Sequence, residues 1–442
     1  MREALRRIVA TPATTQPRPA SAERNERCAT LDALSCVQGF RLSAGKFWLT
    51  CLALLLALIL PVAHAGVANA PGANLEVSLV TYGPGETYWE RFGHDALEVR
   101  DTVSGEAVNF NYGVFDFDER GFLLNFARGR MHYLMDAEPT GLDESWYIQA
   151  GRSVTRQRLA LAPEQAAALR DFLLWNLRPE NARYDYDYYA DNCTTRVRDA
   201  LNQAVGGVLE KELTARAGGM TYRQQTARLM SAQPWLMLLL DLGLGPYADQ
   251  PLNAWQESFL PAVLQRELAT VRVTGGQGTH ALVSETRLLA PNRLDVPPAQ
   301  APDLRLPMAL AGLAFAVLLL LVRRFWPIAF ALLGTFYLLL AGVAGLGLLV
   351  LWLLTTHHAA WANANLLLFN PLAWLLLFAV WRAWRPPSRL TDGILLVQLI
   401  ACLAAVLLHA IPGTVQQNQP WLLFALPVWL ALGWTLRRPV AR

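Results

Sequence analysis

The sequence predicts two domains of different class, an exported α+β domain followed by an all-α membrane domain of five helices. Three observations carry this reading. Residues 41–65 have the layout of a secretory signal. The 442-residue chain is 53% hydrophobic, too apolar for an ordinary soluble protein of that length. Its apolar residues also gather beyond Leu306 in runs near the ~20 residues needed to cross a bilayer.

Residues 1–40 are polar, Arg-rich and without apolar periodicity. Signal peptides begin close to the chain start, so this stretch reads as a mis-called or disordered extension, with initiation near Val37 or Leu42. Arg41 and Lys46 form the basic region of the signal, residues 47–60 its apolar core, and Ala63-His64-Ala65 a small-residue site with cutting expected after Ala65. An uncleaved anchor helix is the alternative. Residues 66–290 then form the exported domain. Strand-like alternation runs through 75–82, 96–99 and 107–112. Ala162-Pro163-Glu164-Gln165 opens a helix running to Leu177, with Pro163 suited to the first turn. Residues 268–290 suggest a hairpin turning at 275–278, and the proline-rich stretch 291–305 links to the membrane.

The membrane domain spans 306–442, with apolar runs near 306–322, 325–354, 366–381, 390–411 and 420–436. Arg323 and Arg324 follow the first run, Arg382, Arg385 and Arg389 the third, and Arg437, Arg438 and Arg442 the fifth. The loops 355–365 and 412–419 contain no Lys or Arg. The positive-inside bias therefore predicts five spans with a cytoplasmic C-terminus, and it places the region before Leu306 outside, as the signal independently requires. The expected address is a bacterial inner membrane, with the exported domain in the periplasm. A net charge of +3 gives no reason to expect nucleic acid as a partner.

Cysteines 28, 36, 51, 193 and 402 show no paired spacing, which supports neither a disulfide framework nor a zinc site. The first three leave with the leader and Cys402 falls in the fourth span, so Cys193 is the one thiol of the exported domain. An unpaired thiol in an oxidising compartment is open to oxidation. A buried structural cysteine is the plain reading, but the surroundings favour chemistry. Residues 184–201 read as a turn entering a helix, with Asp191 or Asn192 as N-cap and Val197, Leu201 and Val205 on the apolar face. At a helix start the dipole and free N–H groups favour a thiolate and can hold an oxyanion. Such a nucleophile needs a base, and the exported domain offers His94, His132 and His280. His132 reads as a surface or strand residue and His280 as a solvated residue near the hairpin tip. His94, behind Gly93 at the start of a strand, is the candidate base, against the plainer reading of a histidine at the core edge.

Three segments, RFGHDALEV (91–99), NYGVFDF (111–117) and YDYDYYADNCTTRVRDAL (184–201), occur in order. With them the sequence resembles the Lnb family of bacterial lipoprotein N-acyltransferases over about residues 75–260, and the five-span tail resembles that family's membrane domain. The resemblance implies a papain-like fold of the permuted NlpC type, with a Cys–His pair falling on Cys193 and His94. The histidine precedes the cysteine, as in enzymes of the lecithin–retinol acyltransferase type, which take acyl chains from phospholipid through a thioester. A phospholipid donor, a lipoprotein acceptor and no cofactor are what it implies. Asn111, in the strand after His94, is expected to orient the imidazole, with Tyr112 as runner-up. Asp191 and Asn192 are expected as caps or supports. Asp185, Asp187 and Asp191 would also suit calcium, but a solvated acidic strand is preferred. His357, His358, Asn363 and Asn365, in the charge-free outer loop, are expected to shape a lipid entrance; a His-His metal site lacks a nearby carboxylate, so no metal is expected. The competing readings are a periplasmic cysteine amidase or peptidase acting on cell-wall peptide, and a non-enzymatic membrane module that binds lipid or lipoprotein.

Overall fold

A computed structural model describes residues 70–115, 120–275, 278–411 and 416–438. Residues 1–69, with the expected signal segment and Cys28, Cys36 and Cys51, lie outside the described residues. Apolar β-formers build an antiparallel sheet from β1 (Leu75–Tyr82), β2 (His94–Asp101), β3 (Ala107–Phe115), β4 (Met131–Pro139), β5 (Val154–Leu159), β6 (Arg183–Tyr186) and β9 (Val283–Ala290). Their order is β6-β4-β3-β2-β1-β5-β9. β1, β2 and β3 are buried residue after residue, so both faces are covered and strict alternation is lost there. That is why alternation alone locates only residues 96–99 of β2. The predicted hairpin over 268–290 divides in two. β7 (Arg272–Gly275) pairs with β8 (Gly278–Ala281), while β9 leaves to extend the main sheet beside β5.

Short helices cover the sheet. They are α1 (Phe122–Arg128), α2 (Thr140–Gln149), α3 (Pro163–Asn176), α4 (Cys193–Ala204), α5 (Val208–Thr214), α6 (Tyr222–Met230), α7 (Pro234–Gly243) and α8 (Pro261–Leu268). α4 packs on β2 and β3, α3 and α8 on β1, and α2 on β3, β4 and β5. Val197 and Leu201 of α4 are fully buried, which fixes the helix and hence the residue at its first position.

Among the described residues, four helices are long and apolar enough to span: α9 (Arg305–Phe325), α10 (Pro327–Leu354), α11 (Arg389–Leu408) and α12 (Gln419–Arg437). The third apolar run does not form the fifth long helix that its composition predicts. It is broken into 3-10 turns at Ala364–Leu367 and Pro371–Leu376 and one α-turn at Leu377–Val380. Pro371 lacks an N–H and disfavours helix in the residue before it, which interrupts the run. Non-helical backbone at membrane depth needs other partners. Trp429 Nε1 donates to Leu368 O at 2.8 Å and Gln398 Nε2 to Leu367 O at 3.1 Å. Gly345, Gly342 and Gly334 of α10 lie in turn against Asn370, Trp374 and Val380, so the broken segment packs closely along the middle of α10.

The two domains are clamped together by polar side chains. Asn363 Nδ2 donates to Leu242 O at 2.9 Å and to Gly243 O at 3.0 Å, and Asn365 Nδ2 donates to Leu242 O at 3.0 Å. Gln416 and Asn418 hold the acceptor oxygens of Asn363 and Asn365 at 2.8 and 2.9 Å. Trp421 Nε1 donates to Asp241 Oδ2 at 2.8 Å. On the other side of the joint, Thr356 N donates to Arg128 O at 2.8 Å.

Candidate active site

Cys193 is the first residue of α4, and Asn192 is its N-cap. The Asn192 side chain accepts from Thr195 N at 2.9 Å, and Thr195 Oγ1 in turn accepts from Asn192 N at 2.7 Å. This reciprocal box fixes the backbone around the thiol. Asp191 is not the cap: its carboxylate forms a two-point pair with the guanidinium of Arg196, which stacks on Tyr184. The sulfur faces the backbone N–H groups of Asp95 and Thr194, with Thr194 Oγ1 at 3.8 Å. Those amides are suited to a thiolate or an oxyanion. Burial nonetheless dominates. It pushes the thiol up to about 11, and the neighbouring Asp95 charge adds to the shift. The helix start therefore does not by itself ionise Cys193, and the resting group is a neutral thiol.

His94 opens β2 directly after Gly93, whose φ of 85° and close approach to Tyr82 O leave no room for a side chain. His94 Nε2 lies 2.9 Å from Asn111 Oδ1. Asn111 pairs across the ladder with Ala96, two residues along from His94 and on the same face, so the strand register brings the two side chains together. An amide oxygen at Nε2 requires the proton there, leaving Nδ1 as the basic nitrogen. The imidazole lies parallel to Tyr82 and Tyr147, with centroids 5.9 Å away in each case. Tyr82 is anchored in turn through its hydroxyl to Asp143 at 2.7 Å, and Asn109 bonds the same carboxylate at 2.8 Å. Burial lowers the imidazole pKa, opposed by the Asn111 bond. Tyr112, the runner-up for orienting the ring, points to the opposite face, where its hydroxyl donates to Asn176 at 2.9 Å.

Gly113 and Asp95 join the two halves of the site, and neither stands out by composition. Gly113 occupies a bulge in β3 with φ of 86°. A Cβ there would lie 3.3 Å from Cys193 Cβ and 3.5 Å from the Tyr186 ring. Gly113→Ala is expected to cost about 1–2 kcal/mol of stability through the left-handed backbone. By displacing the thiol it should also reduce turnover roughly 100-fold. Thermal unfolding and initial rates on the same sample check both numbers.

Asp95 is fully buried, accepts from Thr81 Oγ1 at 2.7 Å, and has its carboxyl pushed up to about 7, chiefly by burial. Its folded value lies above the unfolded one of about 4. Its favourable contribution to stability is therefore complete below pH ~4 and lost as the pH rises through about 7. Asp95→Asn should flatten that part of the stability profile. It should also move the pH profile of Cys193 alkylation down by about one unit, because a nearby negative charge is gone. An unmoved alkylation profile would show that Asp95 does not act on the thiol.

The remaining candidates lie elsewhere. His357, His358, Asn363 and Asn365 belong to the joint between the domains. His357 Nε2 bonds Phe126 O at 3.1 Å and its Nδ1 meets the Tyr188 hydroxyl, while His358 Nδ1 lies 3.2 Å from Asp187. Asn363 and Asn365 are buried. Asp187 also caps the turn at Tyr189 and Ala190, and Asp185, exposed on β6, pairs with His132 at 3.2 Å, so the three carboxylates serve separate partners. His280 lies within β8, its Nε2 3.2 Å from Ala160 O.

Comparison with known proteins agrees with this two-domain architecture. Residues 65–229 match the family model described as the Lnb N-terminal periplasmic domain, and residues 301–438 match the one described as the Lnb transmembrane domain. No curated protein and no solved structure matches the chain.

Proposed function

The chain belongs to the Lnb family, as a membrane protein with a periplasmic N-terminal domain, and from that premise we propose that it is a thiol acyltransferase. In this reading it moves a fatty acyl chain from phospholipid, through a Cys193 thioester, to the N-terminal amine of a lipoprotein. His94 Nδ1 takes the thiol proton as sulfur attacks the acyl carbonyl, and the Asp95 and Thr194 N–H groups receive the oxyanion. The imidazolium then protonates the departing glycerol oxygen, leaving acyl-S-Cys193. The lipoprotein α-amino group attacks that thioester, His94 accepts the amine proton, an amide forms, and the thiolate leaves and is reprotonated. Asn111 holds the ring in the working tautomer. No cofactor enters these steps. The protein would sit in the inner membrane with its C-terminus in the cytoplasm and the broken segment as the fifth crossing.

The observation that carries the reading is the position of the thiol. Tyr188, five residues before Cys193, is bonded to His357, three residues beyond the end of α10. A site tied in this way to the end of a spanning helix suits substrates that reside in the membrane. Mass spectrometry of lipoprotein N-termini from cells with and without this protein tests it. N-acylated termini that disappear with the protein support acyl transfer; unchanged termini with altered cell-wall peptides would favour the amidase reading instead.

A further inference from the structure

We infer that α1 dips into the outer leaflet and that its aromatic residues open the route by which an acyl chain reaches Cys193. α1, of sequence FLLNFAR, has no buried residue, and Leu123 and Leu124 are 79% and 55% exposed. Seven residues with this composition gain nothing by facing water. The helix is also held in place: its C-terminal carbonyls at Phe126 and Arg128 accept from His357 and Thr356, immediately past the end of the spanning helix α10. Gly129 permits that approach, because a Cβ there would lie 2.9 Å from His357 N. The exposed apolar surface of α1 thus continues the lipid-facing surface of α10 at the level where α10 leaves the bilayer. A second apolar helix, α7, is tied to the same boundary through Asn363, Asn365 and Trp421, and exposes Trp235 and Leu239.

From α1 a row of rings leads inward. Phe122 lies 6.4 Å from Phe115, Phe115 lies 4.6 Å from Tyr133, and Tyr133 lies 4.3 Å from Tyr186. Tyr186 and Cys193 then share contact with Gly113. The row gives an acyl chain an apolar wall from leaflet to thiol. This route rests on the acyl-transfer reading; the insertion of α1 does not.

The test uses the full chain in vesicles of phosphatidylethanolamine with radiolabelled acyl chains. A benzophenone amino acid is placed at Leu123, and in a separate sample at Val103, which is 84% exposed in the β2–β3 turn at the other end of β2 from His94. Photolysis should give lipid adducts at least five-fold more abundant at position 123 than at 103. Equal labelling, or a protein adduct at 123, would overturn the insertion. For the route, Leu123→Asp with Leu124→Asp should lower transfer from vesicle phospholipid at least ten-fold while leaving iodoacetamide alkylation of Cys193 unchanged. Undiminished transfer would overturn it. Labelling needs no turnover, so a lipid adduct at 123 with unchanged lipoprotein termini would retain the insertion and discard acyl transfer.

Discussion

Replacing Cys193 with Ala is expected to abolish acyl transfer, by a factor of at least about 10,000, and to leave the chain folded. In the proposed mechanism the sulfur carries the acyl group from donor to acceptor. The residue is half-buried, and Ala is tolerated at a helix start whose cap, Asn192, remains in place. His94→Ala should lose a comparable factor, since a neutral thiol held near 11 has almost no thiolate without a base. The double variant should be no worse than either single one, because the pair acts as a unit. Transfer within ten-fold of the native rate in the Cys193 variant would remove the thioester mechanism.

The second large effect concerns the joint. Arg223 of α6 is buried and bonds Asp249 through Nε at 2.8 Å and Nη2 at 2.9 Å, Asp241 through Nη1 at 3.0 Å, and Leu244 O at 2.8 Å. Burial alone would pull the guanidinium pKa down, but the two carboxylates outweigh it and the net shift is upward. Both carboxylates also reach the membrane domain, Asp241 through Trp421 and Asp249 through Gln417 N at 3.0 Å. Arg223→Met strands two buried negative charges, so a loss of about 3–5 kcal/mol is expected. Denaturation in detergent measures it, and hydrogen exchange should rise first in α7 and in residues 416–418. Adding Asp241→Asn and Asp249→Asn should recover part of the loss. A loss under about 1 kcal/mol would mean that this network does not hold the domains together.

What could be read in the sequence follows the range of the interactions. α3 and the start of α4 are set by local signals: Pro163 in a first turn, and a capping residue before an amphipathic run. The four long membrane helices follow from apolar length, which needs no partner. The third apolar run breaks because Pro371 acts locally, yet its stability depends on Gln398 and Trp429, which are distant in the chain. β4, β5 and β6 are short or half-exposed, so their alternation is weak and their pairing decides them. At the site, the segments carrying His94, Asn111 and Cys193 are visible in the sequence, while Tyr82, Tyr147 and Asp95 are not. Their contributions arise from stacking and burial that only the assembled sheet creates. Gly113 had a usable signal, a glycine interrupting a strand, which often marks a bulge or a close backbone approach.

The proposed mechanism places an acyl group on Cys193 between its two steps. Purified protein should be mixed with phosphatidylethanolamine vesicles in the absence of any acceptor, quenched in acid, and its peptides weighed. The expected result is one fatty acyl chain on the peptide containing Cys193, removed by neutral hydroxylamine and absent in the Cys193→Ala variant. An unmodified Cys193 peptide, or acylation at another residue that persists in that variant, would contradict the account.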